Sequence, residues 1–381
     1  MKKNLFATIL SVASLSAASV FAVGPDSSGS GTQDYSFILD SGNSISVSRS
    51  TSTPKVSGTH PDGYVLNSGY NATSNTSIEA KWDYNGTMLG ISTSSPYLID
   101  LVYSDGIMTN SGAKVTSNET AIVVSRSMGD GFKFFGGLRL NQFKASINYP
   151  FYGGLANPTF AVAGGYQFNL DTGTGTGFAI GAAYEIPQIL LRASIQYNSE
   201  IKHSNAEIAE VMAGIGQQFS EPNDMIAPSS MIIKLRSAIT PRMLAFANWR
   251  SSQYKKFRVH GPLNTTLVGS DIYNPQSGTD YTIGIGLKIN DNLNVLVGTG
   301  RGQSTDSGGL ADALAPFKGS TFNFIGGTLK VNDKVELNAG YSIIAFGDDI
   351  AGVPTADGLG GGAPFSDNNG TRLSIGTKVS F

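Results

Sequence analysis

The chain has 381 residues with 26 basic and 28 acidic side chains, which leaves a formal net charge of −2. This balance gives no charge signal for binding nucleic acid, and the absence of cysteine excludes disulfides and thiolate metal sites among these residues. Glycine (47 residues) and aromatic residues (10%) are frequent while charged residues are few (14%), which favours one large β-barrel over two domains of a soluble enzyme.

The N-terminus has the pattern of an export signal. Lys2 and Lys3 precede an apolar core at 5–15 that is too short to span a bilayer. Val20-Phe21-Ala22 matches a small-x-small cleavage site, so we expect the mature chain to begin at Val23. The predicted division is a signal peptide over 1–22, a short N-terminal periplasmic or plug segment over 23–41, and a transmembrane β-barrel over 42–381.

Several runs alternate apolar and polar side chains with a period of two, as expected for a strand with one apolar face. The clearest runs are 191–197, 281–289, 335–343 and 373–381. The last run ends the chain on Phe381, which is typical of the final strand of an outer-membrane barrel. Such a strand alone fits the edge of a soluble sandwich equally well, and the export signal favours the barrel.

The number of strands follows from the turns, because bacterial barrels have short periplasmic turns and long outer loops. Six tight turns are predicted from Gly, Asn, Asp and Pro at Asn85-Gly86, Gly129-Asp130-Gly131, Ile186-Pro187-Gln188, Thr240-Pro241-Arg242, Asn290-Asp291-Asn292 and Asn332-Asp333-Lys334. Longer polar stretches lie at 58–69, 96–110, 149–159, 203–227, 259–277, 301–319 and 347–369. The prediction is an all-β, antiparallel barrel of about fourteen strands with periplasmic termini.

The apolar faces of these strands are expected to contact lipid, because a charge there costs about 2–4 kcal/mol at the bilayer midplane. Several runs exceed the roughly 9–11 residues that a tilted strand needs to cross, so the barrel should project above the membrane. The predicted location is the bacterial outer membrane, with its lipid and lipopolysaccharide as neighbours. We expect a monomer that binds no nucleic acid, no metal and no cofactor.

Bulky apolar residues occur among the inward positions: Phe135, Phe143, Phe322 and Phe324. They predict an apolar ligand pocket in the outer half of the lumen, or simple packing of a narrow lumen. The inward cations are Arg139, Arg192, Lys234, Arg236, Lys288 and Arg372. Arginine is the better partner for a ligand carboxylate, but each cation could instead pair with an inward carboxylate such as Glu79 or Glu336.

A loop at 205–219 has apolar residues at helical spacing, namely Ile208, Met212, Ile215 and Phe219. Asn205 could cap this helix. The interpretation is an extracellular helix that captures apolar molecules, or one that packs on the barrel rim. A shorter stretch at 310–317 could act in the same way.

The segment at 177–203, GFAIGAAYEIPQILLRASIQYNSEIKH, resembles a pattern that crosses a periplasmic turn in the FadL/TodX-like outer-membrane transporters of long-chain fatty acids and other hydrophobic compounds. The segment at 246–257, FANWRSSQYKKF, is similar to another strand of that family, with Trp249 and Phe257 matching. Gly136-Gly137-Leu138-Arg139-Leu140 and Val56-Ser57-Gly58 also fit. The resemblance covers roughly 45–381.

This resemblance implies passive uptake in which outer loops capture the ligand, the lumen binds it, and a kinked third strand releases it sideways. Here the third strand would be 87–103, interrupted at Ser94, Ser95, Pro96 and Tyr97 because proline cannot donate to a ladder. The strand could also simply end at Ser95. The chain departs from the family in its short N-terminal segment, which lacks the family's Asn-Pro-Ala element. The family's gating mechanism is therefore a poor guide to this chain.

The predicted function is therefore passive uptake of hydrophobic molecules, with fatty acids favoured over hydrocarbons because several cations face the lumen. The substrate-binding candidates are Ile208, Met212, Ile215, Phe219, Phe135, Phe143, Phe322, Phe324, Arg139, Arg192 and Arg236. The alternative is a general or weakly selective porin, and a third class is an adhesin or phage receptor that uses the long loops. No enzyme is predicted, because His60, His203 and His260 are dispersed and no catalytic set is recognisable.

Overall fold

A computed structural model describes residues 33–150, 165–213, 216–257, 261–263, 277–304, 310–355 and 360–381. The predicted signal peptide, residues 23–32 of the predicted N-terminal segment and Ile215 lie outside these residues, so all three remain predictions. The described part of the chain has no helix that is long and apolar enough to cross a membrane.

Fourteen antiparallel strands form a closed barrel. In chain order they are β1 Ser44–Lys55, β2 Thr73–Tyr84, β3 in two segments Thr87–Ser94 and Ile99–Val102, β4 Gly112–Ser127, β5 Phe132–Tyr149, β6 Tyr166–Ile186, β7 in two segments Leu191–Asn198 and Ile201–Met212, β8 in two segments Gln217–Ala227 and Ser230–Thr240, β9 Met243–Ser252, β10 Gly278–Lys288, β11 Leu293–Ser304, β12 Ser320–Lys330, β13 Val335–Phe346 and β14 Asn369–Ser380. Short 3-10 helices occur at Ser36–Leu39, Gly106–Met108, Pro187–Ile189 and Tyr254–Lys256.

The barrel closes where β1 pairs with β14, from Ser44 opposite Ser380 to Lys55 opposite Asn369. All six predicted tight turns connect consecutive strands at the end where β1 begins and β14 ends. The turn between β2 and β3 places Asn85 at φ 53° and Gly86 at φ 77°. These two left-handed residues match the twist of the strands, which is why Asn-Gly is a strong hairpin signal. The predicted strand count is confirmed.

The outer wall carries a belt of exposed apolar side chains. Ile283 of β10, Ile343 of β13 and Ile375 of β14 are 54%, 59% and 55% exposed. Inward neighbours on the same strands are polar, such as Thr282 and Arg372, which are buried. Such a distribution is stable only against hydrocarbon, because each exposed apolar side chain would otherwise face water.

Strands β4 to β8 extend beyond this belt toward the long-loop end, which we call the outer end. On β5 the outward positions change from exposed Phe134 and Leu138 to Lys144 and Ser146. β5 has 18 residues and β6 has 21, whereas a tilted strand needs about 9–11 to cross a bilayer. The barrel therefore projects above the membrane, as the strand lengths predicted.

A second, five-stranded sheet lies at the outer end. Its short strands come from three connections of the barrel: Gly58–Thr59, Val65–Leu66, Ala311–Asp312, Asp349–Val353 and Gly361–Phe365. Leu66, Val353 and Phe365 are fully or almost fully buried beneath it. We call this sheet, with residues 313–318, the cap.

The predicted extracellular helix at 205–219 is wrong. β7 runs through to Met212, and β8 begins at Gln217. Residues 208 and 212 are four apart, and this spacing fits one face of a strand as well as one face of a helix because four is a multiple of two. In the structure Ile208 pairs with Glu221 and Met212 with Gln217. This pairing favours the strand, because it bonds backbone groups that an isolated short helix leaves unbonded at its ends.

Candidate functional site

The described part of the predicted N-terminal segment, together with the residues that lead into β1 (33–43), lies inside the lumen. Its 3-10 helix buries Ile38 and Leu39, which pack with Tyr35 and with Phe135 of β5. Gly90 of β3 makes room for it, because a Cβ there would lie 2.6 Å from Cδ1 of Ile38. This part of the segment therefore lies inside the lumen, and its role as a plug remains a prediction.

Charged groups hold this segment to the wall. The Arg192 guanidinium of β7 donates to Asp40 at 2.7 Å and to the Leu39 carbonyl at 3.2 Å. Lys133 of β5 donates to the same carbonyl at 2.8 Å. Lys234 of β8 forms an ion pair with Asp34. A hydrogen bond with an ionised donor or acceptor is about twice as strong as a neutral one. Strands β5, β7 and β8 therefore hold the N-terminal segment firmly.

A buried polar layer lies beside the segment, centred on Glu119 of β4. Its carboxylate accepts from Arg139 at 2.9 and 3.2 Å, from Gln33 at 3.0 Å and from Asn141 at 3.2 Å. The Tyr35 hydroxyl donates to the same carboxylate. Arg139 also donates to the Ser199 carbonyl at 2.9 Å. Charges taken out of water are stable only when their hydrogen bonds are satisfied in this way.

The predicted inward cations do point into the barrel, and most of them have internal partners. Arg139 pairs with Glu119, Arg192 with Asp40 and Glu185, Lys234 with Asp34, and Lys288 with Asp291, while Arg236 lies 3.8 Å from Asp40 and Arg372 donates to Ser50 at 3.0 Å. For each of these cations, the sequence also allowed a structural ion pair with an inward carboxylate. A ligand role for Arg139, Arg192 and Arg236 remains a prediction.

Above the polar layer, toward the outer end, buried apolar side chains of the wall and of the cap form one continuous cluster. We call it the upper apolar cluster, or upper cluster. Predicted site residues Phe143, Phe322, Ile208 and Met212 belong to it, and Phe219 and Phe324 pack on its edge. Phe135 belongs to a separate cluster around the N-terminal segment. The structure thus brings together six of the eight apolar candidates, although Ile208, Met212 and Phe219 lie on strands.

The third strand is interrupted at residues 95–98, one position beyond the predicted 94–97, because Ser94 still pairs with Glu119. The β2–β3 ladder ends at Ile78 opposite Thr93, and the β3–β4 ladder ends at Ser94 and resumes at Ile99. In between, Tyr97 is fully buried, and the Ser117 side chain bonds to both its N–H and its carbonyl. We call residues 95–98, with the facing part of β2 at 73–77, the wall break.

The wall break lies at the level of the apolar belt. Strand β1 pairs with β2 on one side and with β14 on the other. Across β1, Ser74 and Thr76 of β2 lie opposite Leu373 and Ile375 of β14, which are exposed apolar residues. Across the break, the Ser95 N–H donates to the Asn75 side chain at 2.9 Å. Tyr97 belongs to the upper apolar cluster and its ring packs against Phe143 and Phe257. The apolar interior therefore reaches the wall at the one place where β3 is discontinuous.

The cap contains a buried carboxylate, Asp312, beside the upper cluster. Burial raises its pKa from 3.8 to about 6, although the Leu314 N–H, which donates at 2.8 Å, opposes this change. Tyr103 lies near it and donates its hydroxyl to the Ala313 carbonyl at 2.7 Å. The closed cap therefore holds the Asp312 proton more tightly than an opened cap would.

We expect the cap to be most stable below about pH 4 and to loosen as pH rises to about 6, because the closed state binds more protons over that window. Asp312→Asn should abolish this change. At pH 7.5, amide exchange over residues 310–318 should be severalfold faster in the wild type than in Asp312→Asn, and equal in both at pH 4. The exposed control Asp348→Asn should behave as the wild type; equal exchange in all three proteins at pH 7.5 would contradict the expectation.

Sequence reasoning missed the acidic partners of the lumen. Glu119 and Glu185 lie on the inward faces of β4 and β6, so strand parity alone would have found them. Asp34 and Asp40 flank a short helix without periodicity, and nothing in their spacing indicates their partners. The described residues hold no group of three His, Cys, Asp or Glu that could bind a metal ion.

A closed antiparallel barrel with an apolar outer belt and a partly polar lumen is a transmembrane barrel of the bacterial outer membrane. No family model matches this chain, and no curated protein matches it. Solved structures do match, over nearly the whole chain.

A FadL homologue from Pseudomonas aeruginosa aligns with a TM-score of 0.71 at 13% identity, covering 97% of this chain and 96% of its own. The toluene transporter TodX of Pseudomonas putida aligns at 0.62 and 13% identity, covering 95% and 93%. The toluene transporter TbuX of Ralstonia pickettii aligns at 0.57 and 11% identity, covering 95% and 99%. The chain has the FadL/TodX-like fold.

Proposed function

We propose that this protein is a passive channel through which hydrophobic molecules cross the outer membrane. The observation that carries the proposal is the continuous apolar cluster that runs from the cap to Tyr97 at the wall break. A porin for polar solutes would need a water-filled lumen lined by polar and charged groups. The solved relatives in fold include two toluene transporters, which supports the same class of ligand.

The route we propose begins at the cap, continues through the upper cluster and ends sideways at the wall break near Pro96. An intact barrel wall cannot open into lipid, because each unpaired N–H or C=O costs several kcal/mol there. Residues 95–98 are already outside the ladder, so the opening costs less at this place. An apolar ligand gains by this exit, since it enters the bilayer without crossing water.

We infer that the preferred ligands are neutral. The cations that favoured a fatty acid include Arg139, Arg192 and Lys234, and these already pair with carboxylates of the chain. A ligand carboxylate would have to displace such a partner and leave it buried and unpaired, which is strongly unfavourable. The apolar cluster offers a neutral hydrocarbon the same burial without that cost.

The test is uptake of labelled toluene and oleate by cells that express the chain, compared with cells carrying an empty vector, together with conductance in planar bilayers. We expect severalfold faster toluene uptake, a smaller effect on oleate and little steady current. A large steady current without any change in uptake would contradict the proposal and support a porin. Cell or phage binding that persists when the lumen is sealed, again without uptake, would support the receptor alternative.

A further inference from the structure

The side chain of His203 on β7 is buried and lacks the hydrogen bonds that its ring could form with the described residues. It is 1% exposed, and no described residue forms a hydrogen bond with either of its ring nitrogens. The Gly173 carbonyl is near enough to act on the ring, but outside hydrogen-bond geometry. Buried polar groups nearly always have partners, so an exception calls for a ligand or a bound water.

The chain makes room for this ring. A Cβ on Gly175 of β6 would lie 2.7 Å from Nδ1 and 2.8 Å from Cε1 of His203. A larger residue at 175 would have to displace the imidazole or the neighbouring Ile201, whose Cγ2 would lie 2.6 Å from the same Cβ. The β6–β7 ladder is also absent here, because pairing stops at Ala179 opposite Asn198 and resumes at Asp171 opposite Glu207. The ring occupies the inner side of this second interruption.

His203 lies between the upper apolar cluster and the polar layer around Glu119. Along β7, Ile201 and Ala206 on either side of His203 belong to the upper apolar cluster, and its partner across the ladder, Met225 of β8, belongs to it as well. The charged group that acts on the ring is Glu119, which is already paired with Arg139. An apolar molecule in the cluster could therefore place one polar atom at His203.

We propose that His203 binds the hydroxyl of a neutral, otherwise apolar ligand such as a phenol or a long-chain alcohol. A neutral imidazole has one donor and one acceptor nitrogen, which match the two roles of a hydroxyl. A carboxylate fits less well, because it has no proton to give and would approach the negative Glu119. This assignment rests on the proposed uptake of hydrophobic molecules and defines the chemistry of one of its binding positions.

The experiment uses three ligands built on one ring: toluene, p-cresol and p-toluate. Equilibrium binding is measured on the purified full-length protein for the wild type, His203→Phe and His203→Gln. We expect His203→Phe to weaken p-cresol binding about tenfold and to leave toluene binding unchanged, since only the hydrogen bond is lost. Gln retains a donor and an acceptor, so His203→Gln should keep most of the affinity for p-cresol.

A direct readout is the 15N spectrum of the three histidine rings of the chain. p-Cresol should shift the His203 ring resonances, whereas His60, which already bonds to the Pro354 carbonyl at 2.8 Å, should not respond. Unshifted His203 resonances at saturating p-cresol, or equal losses for p-cresol and toluene in His203→Phe, would overturn the proposal. Selective loss of p-toluate binding would overturn the hydroxyl assignment. Because binding is measured in isolation, failed uptake in cells would count against the proposed function alone.

Discussion

Replacing Asp34 and Asp40 together with asparagine is expected to convert a closed barrel into an ion-conducting pore. The two carboxylates are the ionic attachments of the N-terminal segment to Lys234 and Arg192. Removing one partner of a buried ion pair costs about 3–5 kcal/mol, which corresponds to at least a hundredfold change in population. Losing both should loosen the segment in the lumen, because its apolar contacts and hydrogen bonds such as those of Gln33, Tyr35 and the Leu39 carbonyl then hold it without the two ion pairs.

The wall itself should stay folded in this variant. Arg192 keeps Glu185, to which it donates at 2.6 Å, and Glu185 also pairs with Lys133 at 2.9 Å. The ladder bonds of the fourteen strands are untouched. The double variant should therefore keep its heat-modifiable migration on gels while its conductance in planar bilayers rises by at least tenfold.

A matched control is the double variant Asp291→Asn, Asp333→Asn. These carboxylates also pair with lysines, at 2.7 Å to Lys288 and 2.8 Å to Lys330, but they are 87% and 97% exposed at the turns. Exposed pairs contribute about 0–1 kcal/mol, so the control should conduct like the wild type. Unchanged conductance in Asp34→Asn, Asp40→Asn would show that other parts of the chain seal the lumen.

Tying the two edges of the wall break together is expected to slow uptake of toluene at least tenfold. Asn75→Cys with Ser95→Cys places one cysteine on each edge of the break, at two residues that already meet through a hydrogen bond from the Ser95 N–H to the Asn75 side chain at 2.9 Å. The chain has no other cysteine, so oxidation can form only this bridge within one molecule. The bridge holds residues 95–98 against β2 and removes the freedom that a lateral exit needs.

Reduction of the same sample should restore uptake, which makes each preparation its own reference. The matched control is Ala80→Cys with Ile91→Cys, two partners within the continuous part of the β2–β3 ladder. A bridge there adds nothing to a wall that is already closed, so uptake should not respond to oxidation. Equal uptake by the oxidised and reduced forms of the Asn75–Ser95 pair would rule out the lateral exit and leave axial passage.

Much of the barrel could be predicted from the sequence, because its strongest signals are local. The alternation at 281–289 reports one lipid-facing and one inward face, and Asn85-Gly86 reports a tight hairpin through its backbone conformation alone. Pro96 likewise marks the interruption of β3 without knowledge of its neighbours. These features need no distant contact to be recognised.

The helix predicted at 205–219 shows where local patterns become ambiguous. Ile208 and Met212 satisfy a helix and a strand equally by their spacing, and only the ladder partners on β6 and β8 decide between them. The ligand preference was ambiguous for a related reason. An inward Arg139 looks available in sequence, and its pairing with Glu119, twenty positions earlier on the neighbouring strand, removes that availability.

Local patterns predict the strand count, the turn positions, the lipid-facing side of the clearest strands and the neighbourhood in which β3 breaks. These properties depend on side-chain periodicity and on backbone preferences within a few residues. Which groups fill the lumen depends on contacts between distant parts of the chain. Asp34 and Asp40 meet Lys234 and Arg192 across about two hundred and about one hundred and fifty positions of chain, and the imidazole of His203 lies over Gly175 from another strand. Such meetings follow from barrel closure, which brings distant residues together without leaving any periodic trace in the sequence.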